Sequence, residues 1–500
     1  MRHLTLSGAA FFFCRQLRVL TFEKFSYIGS MDLKEKMKCK ILIILAALAG
    51  ILIVWCAGRA GEKNDTAESE ILREYALKEN EWASAQSLIS SFQDSFMQAE
   101  EASETEQADE EAEQEKMIRV LIMDQGYKSY YHNHIRMEFQ GSFEGSSGEM
   151  YETGDVLELT QDSGQLTGEN FILSPTEENA RIKVSSLSRG QGAPSYRGSL
   201  TVYKDEKGLR LINTLPLEEY LWAVVPSEMP SSYPEEALKA QAVCARTYAC
   251  VQMINSSLEY LGAQVDDSVS YQVYQNSGEA EETIRAVEET SGEILLNHGS
   301  PINAYYFSTS HGKTSTDQVW AASVPSSYLR SVECTFDSGE PWYQWEVEIS
   351  LAKILANFQG MFGGLSSVTG IETGEENAGE GVLKLIAHTD QGDKELHNEY
   401  DIRTALSPEG LTITRQDGSQ VMGSSLLPSA YFTLEEKKDR QGNLTGYLIR
   451  GGGYGHGVGM SQNGAKGMAE AGKDYREILS YFYKDVEIGN IKDVVNIGDS

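Results

Sequence analysis

The sequence predicts an α+β fold: a β-rich extracytoplasmic domain with several helices around a cleft, preceded by a membrane-spanning helix and a helical stalk. Three observations predict it. An uncharged apolar run stands near the N-terminus, an acid-rich stretch with helical periodicity follows, and from residue 117 short β-type segments alternate with a few helical ones. The predicted boundaries are a cytoplasmic tail over 1–40, a transmembrane helix over 41–58, a helical stalk and acidic linker over 59–116, and the folded domain over 117–490.

Residues 1–30 show no clear pattern, and Met31 is a candidate start because a clean targeting segment begins there. Lys34, Lys36, Lys38 and Lys40 precede the uncharged run from Ile41 to Gly58. Its 18 residues are at the lower end for a span. Lysines before it predict a cytoplasmic N-terminus and a cell-membrane, single-pass topology with the large domain outside. A cleaved signal peptide is the rival, although no good Ala-x-Ala site follows. A lipoprotein site at Cys56 is disfavoured by the bulky Ile-Val-Trp before it. Residues 66–100 place Ile71, Leu72, Tyr75, Trp82, Leu88, Phe92 and Phe96 at helical spacing, fit for a stalk or a docking helix. The Glu-rich 99–115 reads as a solvated, self-repelling linker.

The chain carries 42 Lys and Arg against 74 Asp and Glu, a formal net charge of −32. That excludes a general nucleic-acid binder, which needs a basic footprint. Six cysteines are too few and scattered for a disulfide framework. Cys244 and Cys250, six apart on a predicted helix, fall on different faces.

Within the domain, Ile118–Met123 reads as a buried strand. Met137–Phe143, Val156–Leu159, Arg181–Val184 and Ser199–Val202 are short strands between Gly, Asp, Asn and Ser. A helix is predicted from Pro216, with Leu217, Tyr220, Leu221 and Val224 on one face. Next stands Pro226-Ser-Glu-Met-Pro230. Two prolines so close predict a stiff turn with Glu228 on it rather than a regular element. Pro234 then starts a long helix, with Glu235 and Glu236 in its first turn and Ala237, Ala240, Gln241 and Cys244 along a small-residue face. Residues 281–290 read as helix, 293–296 and 302–307 as strands, and 340–450 again as β, with turns at Gln391-Gly-Asp and Gln416-Asp-Gly. The Gly-rich Gly451–Gly464 leaves backbone open to close approach. Two helices follow, the first ending before Gly472 and the second capped by Asp474.

Four strings carry a family likeness: Leu215-Pro-Leu-Glu-Glu-Tyr-Leu221, Val225-Pro-Ser-Glu-Met-Pro230, Ala240-Gln-Ala-Val-Cys-Ala-Arg-Thr-Tyr-Ala249 and Gly455-His-Gly-Val-Gly-Met-Ser-Gln462. By these, roughly residues 117–490 resemble the SpoIID/LytB domain family of stage II sporulation protein D and the amidase enhancer LytB. The resemblance implies a lytic transglycosylase of peptidoglycan glycan strands, in wall remodelling or sporulation, and the apolar run with its lysines makes the expected protein membrane-anchored. The alternative is a non-catalytic glycan-binding scaffold that enhances a cell-wall amidase, which would then be a partner. It implies Glu228 as the acid and a functional residue beside it, for which Arg246 is the candidate; an ion pair with an acid of the same domain is its other reading. Gln241, Gln272, Tyr274, Ser310, Lys313, His456 and Gln462 are the candidate substrate contacts.

Three rival chemistries fit the residues less well. Gly459 to Gly464 with Lys466 approaches a phosphate-binding loop but lacks Gly-Lys-Ser/Thr. Ser310-His-Gly-Lys313 matches the Ser-x-x-Lys of serine acyl-transfer enzymes, but no Lys-Thr-Gly or Ser-Asp-Asn follows. Some members of the resembled family hold zinc through Cys and His just before a Gln-x-Tyr segment. Here that segment is Gln272-Val-Tyr274, and Val265–Tyr271 has neither residue. No metal and no cofactor is therefore expected. His311 with Cys334 makes at most a weak pair of ligands. His311 also departs from the small residues usual there.

Overall fold

A computed structural model describes residues 116–494, apart from 167, 191, 277, 321, 323 and 375–380. The tail, the apolar run and the stalk lie outside the described residues. Among the described residues no helix is long and apolar enough to cross a membrane.

Two sheets build the first half. The larger has seven strands in the spatial order Val265–Asp266, Met117–Ile122, Gly208–Pro216, Ser199–Asp205, Asn170–Pro175, Phe143–Gly145 and Met150–Tyr151. The smaller has four: Val156–Leu159, Ile135–Gln140, Arg181–Val184 and Ser195–Tyr196. Alternation sets their faces. Ile135, Met137 and Phe139 turn inward along one strand while Arg136 and Glu138 face out. The inward residues of both sheets join one core that holds Val120, Phe139, Phe171, Ile182 and Val202.

The nine-residue strand Gly208–Pro216 runs straight into helix α1, Leu217–Glu228. Helix α2, Glu235–Ile254, follows after one turn, and α3 spans Glu281–Glu288. The small-residue face of α2 packs as expected, with Ala237, Ala240, Gln241 and Cys244 buried. Val243, Ala245, Arg246 and Thr247 on other sides are buried too, so α2 runs through the middle of the unit. Helices α1, α3 and the two C-terminal helices all lie against it.

Residues 342–449 surround a second core, with Trp345, Ile349, Phe358, Leu385, Ile402 and Ile449. Its five-stranded sheet runs Gln420–Met422, Thr412–Arg415, Trp345–Ser350, Leu444–Gly451, Phe432–Lys438. A three-stranded meander, Val368–Thr373, Leu385–Thr389 and Gly392–Leu396, and helices α4, Leu351–Phe362, and α5, Glu399–Ala405, complete it. Both turns read from the sequence are there: Gly392 and Gly418 take positive φ in them. The two helices went unread because their apolar residues sit inside a stretch that alternates elsewhere.

The Gly-rich segment returns the chain to the first core. Gly457 and Gly459 have φ of +78° and +80°. A Cβ at Gly459 would strike the Tyr305 carbonyl oxygen, and one at Gly457 the Tyr431 hydroxyl. Glycine is required at both. Helices α6, Gln462–Glu470, and α7, Tyr475–Phe482, then close the unit, with Gly472 at φ +83° and an Asp474–Glu477 capping box between them.

A further expectation fails. Glu228 is not on a turn between elements: α1 continues through Pro226 and ends with Glu228 itself. Pro226 removes a single N–H, and it does so in the last turn. Ser227 Oγ bonds back to the Ala223 carbonyl at 2.6 Å, and the Met229 N–H closes on Val225. The chain leaves the helix at Met229, which is extended, just before Pro230.

Candidate active site

Glu228 is held at the C-terminal end of α1, where the helix dipole disfavours negative charge. Its side chain turns toward the segment after the short strand Val265–Asp266. Oε1 accepts the Val273 N–H at 2.7 Å, and the neighbouring Ser227 Oγ accepts the Gln275 N–H at 3.3 Å. The hydroxyl of Tyr306, from the two-residue strand Tyr306–Phe307, also donates to the carboxylate. Burial outweighs both bonds and raises the carboxyl to about 7. No neighbouring charge contributes to that rise. An acid that is half protonated near neutrality can both give and take a proton.

Behind Glu228 stands a chain of neutral donors. Gln272, 1% exposed, accepts from Tyr220 Oη at 3.2 Å. Its Nε2 donates to the Tyr306 hydroxyl at 3.3 Å and to the Ala245 carbonyl at 3.2 Å. On the other side, Gln462 at the start of α6 donates through Nε2 to the Glu228 carbonyl at 3.0 Å and to Gln241 Oε1 at 3.3 Å. Three predicted contacts, Gln241, Gln272 and Gln462, thus gather around Glu228. Gln241 is fully buried and Gln272 almost so, which makes them supports of the acid; Gln462 is 8% exposed. Gln241 Nε2 has no partner among the described residues.

The remaining predictions separate. Arg246 is buried in an ion pair, with Nε and Nη2 each 2.7 Å from a carboxylate oxygen of Glu218. The Val287 and Glu293 carbonyls take further bonds, at 3.0 and 3.2 Å. With the Thr290 hydroxyl at 3.5 Å, the guanidinium has no donor left for a substrate. Arg246 locks α2 to α1 and α3 and is not the companion of Glu228. Tyr274 is also a core residue. It is fully buried, bonds Asn213 Oδ1 at 2.8 Å, and packs on Tyr220 with ring centroids 4.9 Å apart.

Ser310 and Lys313 do not form a serine–lysine pair. Ser310 Oγ donates to Asp337 Oδ1 at 2.9 Å, and Lys313 reaches Glu333 at 3.8 Å. Asp337 also accepts the Ser310 N–H and the Ser461 hydroxyl, each at 2.7 Å. This buried carboxylate pins the strand Met460–Ser461 beside the parallel strand Tyr306–Phe307 and thereby places both Tyr306 and Gln462. His456 lines an aromatic wall with Tyr305, Phe307 and Trp320, at centroid distances of 6.2, 5.8 and 5.1 Å. Its Nδ1 accepts the Val458 N–H at 3.1 Å. Burial lowers the imidazole to about 4, so it is neutral at any ordinary pH.

Sequence reasoning missed Tyr306, Tyr220, Glu218 and Asp337. The run Ala304-Tyr-Tyr-Phe307 was visible, but which tyrosine turns toward Glu228 is set by a strand pairing with residues about 150 positions away. For metals, no group of three or more His, Cys, Asp or Glu among the described residues is placed to hold an ion. Cys334 is buried, and its sulfur lies 3.7 Å from Asp337 Oδ1; His311 stacks on Tyr431.

Fold and site define a class: an α+β domain whose centre is a lone, half-buried acid at a helix end, held by a glycine-rich return segment. A family model described as "Stage II sporulation protein" matches residues 205–297, which contain α1 and α2. The chain belongs to the stage II sporulation protein D family. It is 32% identical over 337 residues to stage II sporulation protein D of Bacillus subtilis (strain 168), covering 64% of this chain and 88% of that protein. An uncharacterized protein of Brachyspira hyodysenteriae is 34% identical, over 59% of this chain and 72% of its own. An "Amidase enhancer" of Bacillus subtilis is 30% identical over 53% of this chain and 39% of its own length. A second model, a domain of unknown function, matches residues 326–459 and so spans the second core.

Proposed function

We propose that the protein acts on the bacterial cell wall as a peptidoglycan lytic transglycosylase, with Glu228 as its single acid and base. The observation that carries the reading is the setting of Glu228: a carboxyl at the C-terminal end of α1, bonded by the Val273 N–H and the Tyr306 hydroxyl and with no charged partner, where burial raises it to about 7. Hydrolysis of a glycoside ordinarily uses two carboxylates. One suffices when the attacking group belongs to the sugar. Protonated Glu228 gives its proton to the oxygen linking N-acetylmuramic acid to N-acetylglucosamine, and that bond breaks. The resulting carboxylate then takes the proton from the C6 hydroxyl of the muramic acid as this oxygen bonds to C1. The product is a 1,6-anhydro sugar, no water is consumed, and Glu228 ends protonated as it began. Intramolecular attack gains from high effective concentration. The likeness to stage II sporulation protein D supports a wall-related setting.

The likeness to an amidase enhancer supports a second reading, a glycan-binding scaffold that assists a cell-wall amidase. Mass spectrometry of purified wall after incubation with the full-length chain separates the two. Release of anhydro-muropeptides supports the enzyme. Tight binding without release supports the scaffold. The apolar run 41–58 with its preceding lysines supports anchoring in the cell membrane, with the domain outside.

A further inference from the structure

The five-stranded sheet of the second core has an open end that the proposed reaction does not use. A cleft of about 820 Å³ lies there, and His311, Tyr431, Gly451 and Gly452 are among the residues that line it. Gln344, Thr414, Gln416 and Thr433 line it with amides and hydroxyls, the groups that meet a sugar. Three charged side chains also stand in it: Glu346, Arg415 and Arg450. Arg450 is matched by Glu346 at 3.5 Å and by Glu435.

Arg415 is not matched. Its Nε donates to Ser419 Oγ at 2.8 Å, and its guanidinium carbon lies 5.2 Å from the centre of the Trp342 ring. These contacts fix the guanidinium plane. Among the described residues neither terminal nitrogen has a hydrogen-bond partner or an ion pair. Asp417 acts on it only at longer range and is itself engaged by Ser419. A pre-set fork with two open donors matches a pair of anionic oxygens, as on a carboxylate or a phosphate; on the sugars and peptides of a wall glycan that group is a carboxylate. In a chain of net charge −32, such a group in a cleft is specific for an anion brought there by other contacts. The Gly-rich segment links this cleft to the acid. From Gly452 in its lining to Gln462, which bonds the Glu228 carbonyl, is ten residues, so roughly 35 Å at most. A strand of several sugars spans that.

We propose that this cleft is a second binding site, which takes a carboxylate carried on the same glycan strand, with Arg415 as its anchor; the proposal rests on the glycan reading above. The carboxylate is either the acid arm of a peptide-stripped sugar or an acid of an attached peptide. The test is equilibrium binding to the full-length chain carrying Glu228→Gln, so that no probe is cleaved. The probes are peptide-stripped glycan oligomers, the same oligomers with peptides, and neutral chito-oligosaccharides of equal length. Arg415→Gln should weaken the carboxylate-bearing probes by roughly tenfold to a hundredfold and leave the neutral one unchanged. Arg415→Lys should fall between. Gln344→Glu, which keeps Arg415 but adds a like charge to the ligand's, should weaken the same probes. A loss confined to stripped oligomers identifies the acid arm, and one confined to peptide-bearing oligomers identifies the peptide. If Arg415→Gln and Gln344→Glu melt as the parent does and bind every probe as the parent does, the proposal is overturned. If the parent with Glu228 intact cleaves nothing while Arg415→Gln loses carboxylate binding, the lytic reading falls and the cleft stands.

Discussion

Glu228→Gln should do two opposite things, and the structure sets the size of both. The amide keeps the oxygen that accepts the Val273 N–H, so the local geometry survives. It cannot cycle a proton. General acid–base catalysis contributes roughly a hundred- to ten-thousand-fold, and one group serves both steps here, so the loss should lie near the upper end. Stability should move the other way. The carboxyl is raised from 4.5 to about 7. The folded state therefore holds a proton that the unfolded state has already lost between those values. Stability falls as pH climbs from about 4.5 to about 7 and is level beyond, by roughly 3 kcal/mol at most. The amide has no such penalty. At pH 8 the variant should melt a few degrees above the parent, and the gap should close toward pH 5. Parent activity should fall about tenfold per pH unit above 7, as the proton donor is lost. The assays are anhydro-muropeptide release from wall and thermal melts at pH 5 and pH 8. Cleavage by the variant at near the parent rate would remove Glu228 from the mechanism. A melting gap that does not change with pH would refute the raised carboxyl.

Arg246→Met should cost about 2–4 kcal/mol, because it takes the guanidinium from the Glu218 carboxylate, which is partly solvated and keeps the Gly292 N–H, and from the Val287 and Glu293 carbonyls, while activity per folded molecule stays near that of the parent; denaturant melts with rates corrected for the folded fraction check this. Elemental analysis of full-length protein purified without a metal-binding tag should find well under one zinc per chain, and near-stoichiometric zinc would show that ligands other than the missing ones at 265–271 exist. Protease added to intact wall-less cells should remove the domain beyond residue 60, and its protection would refute the outward topology.

The strongly local features were legible in the sequence. The α2 helix with its small-residue face, the glycine-gated return segment and the Asp474 cap each rest on residues a few positions apart, and each is in place. Glu228 stands out in the sequence by the family resemblance, but its setting does not: two prolines predict a turn, and nothing local shows that Pro226 falls in the last turn of a helix, where one missing donor is tolerated. Arg246 was legible as a charge and illegible as a pair. Its partner Glu218 sits 28 residues earlier, and only the packing of α1 on α2 brings them together. Tyr306 and Asp337 act through contacts far apart in sequence, so no spacing rule could find them.

The neutral chain behind Glu228 has a direction, and that direction is testable. The Ala245 carbonyl accepts from Gln272 Nε2 and so fixes the amide's orientation. The amide oxygen must then face Tyr220, and the amide nitrogen donates to the Tyr306 oxygen. With its oxygen already serving as an acceptor, Tyr306 keeps its own proton for Glu228. Hydrogen bonds aligned in this way reinforce one another in a low-dielectric interior. Tyr306→Phe removes the last donor, which favours the charged form of Glu228, so the alkaline limb of activity should move upward in pH. Gln272→Glu should move it further. A carboxylate at 272 would accept the Tyr306 proton instead of supplying one, and it would add a like charge near Glu228. It would also face the Ala245 carbonyl with no donor, so a lower melting point should accompany the shift. Gln272→Met serves as the control: it loses the bonds without adding charge and leaves the Tyr306 donor in place, so its limb should lie between those of the parent and Tyr306→Phe. The pH profile of anhydro-product release, measured for all three variants, decides. A limb that stays in place or moves down in Gln272→Glu would mean that the chain does not terminate on Glu228, and the assignment of Tyr306 as its donor would fail.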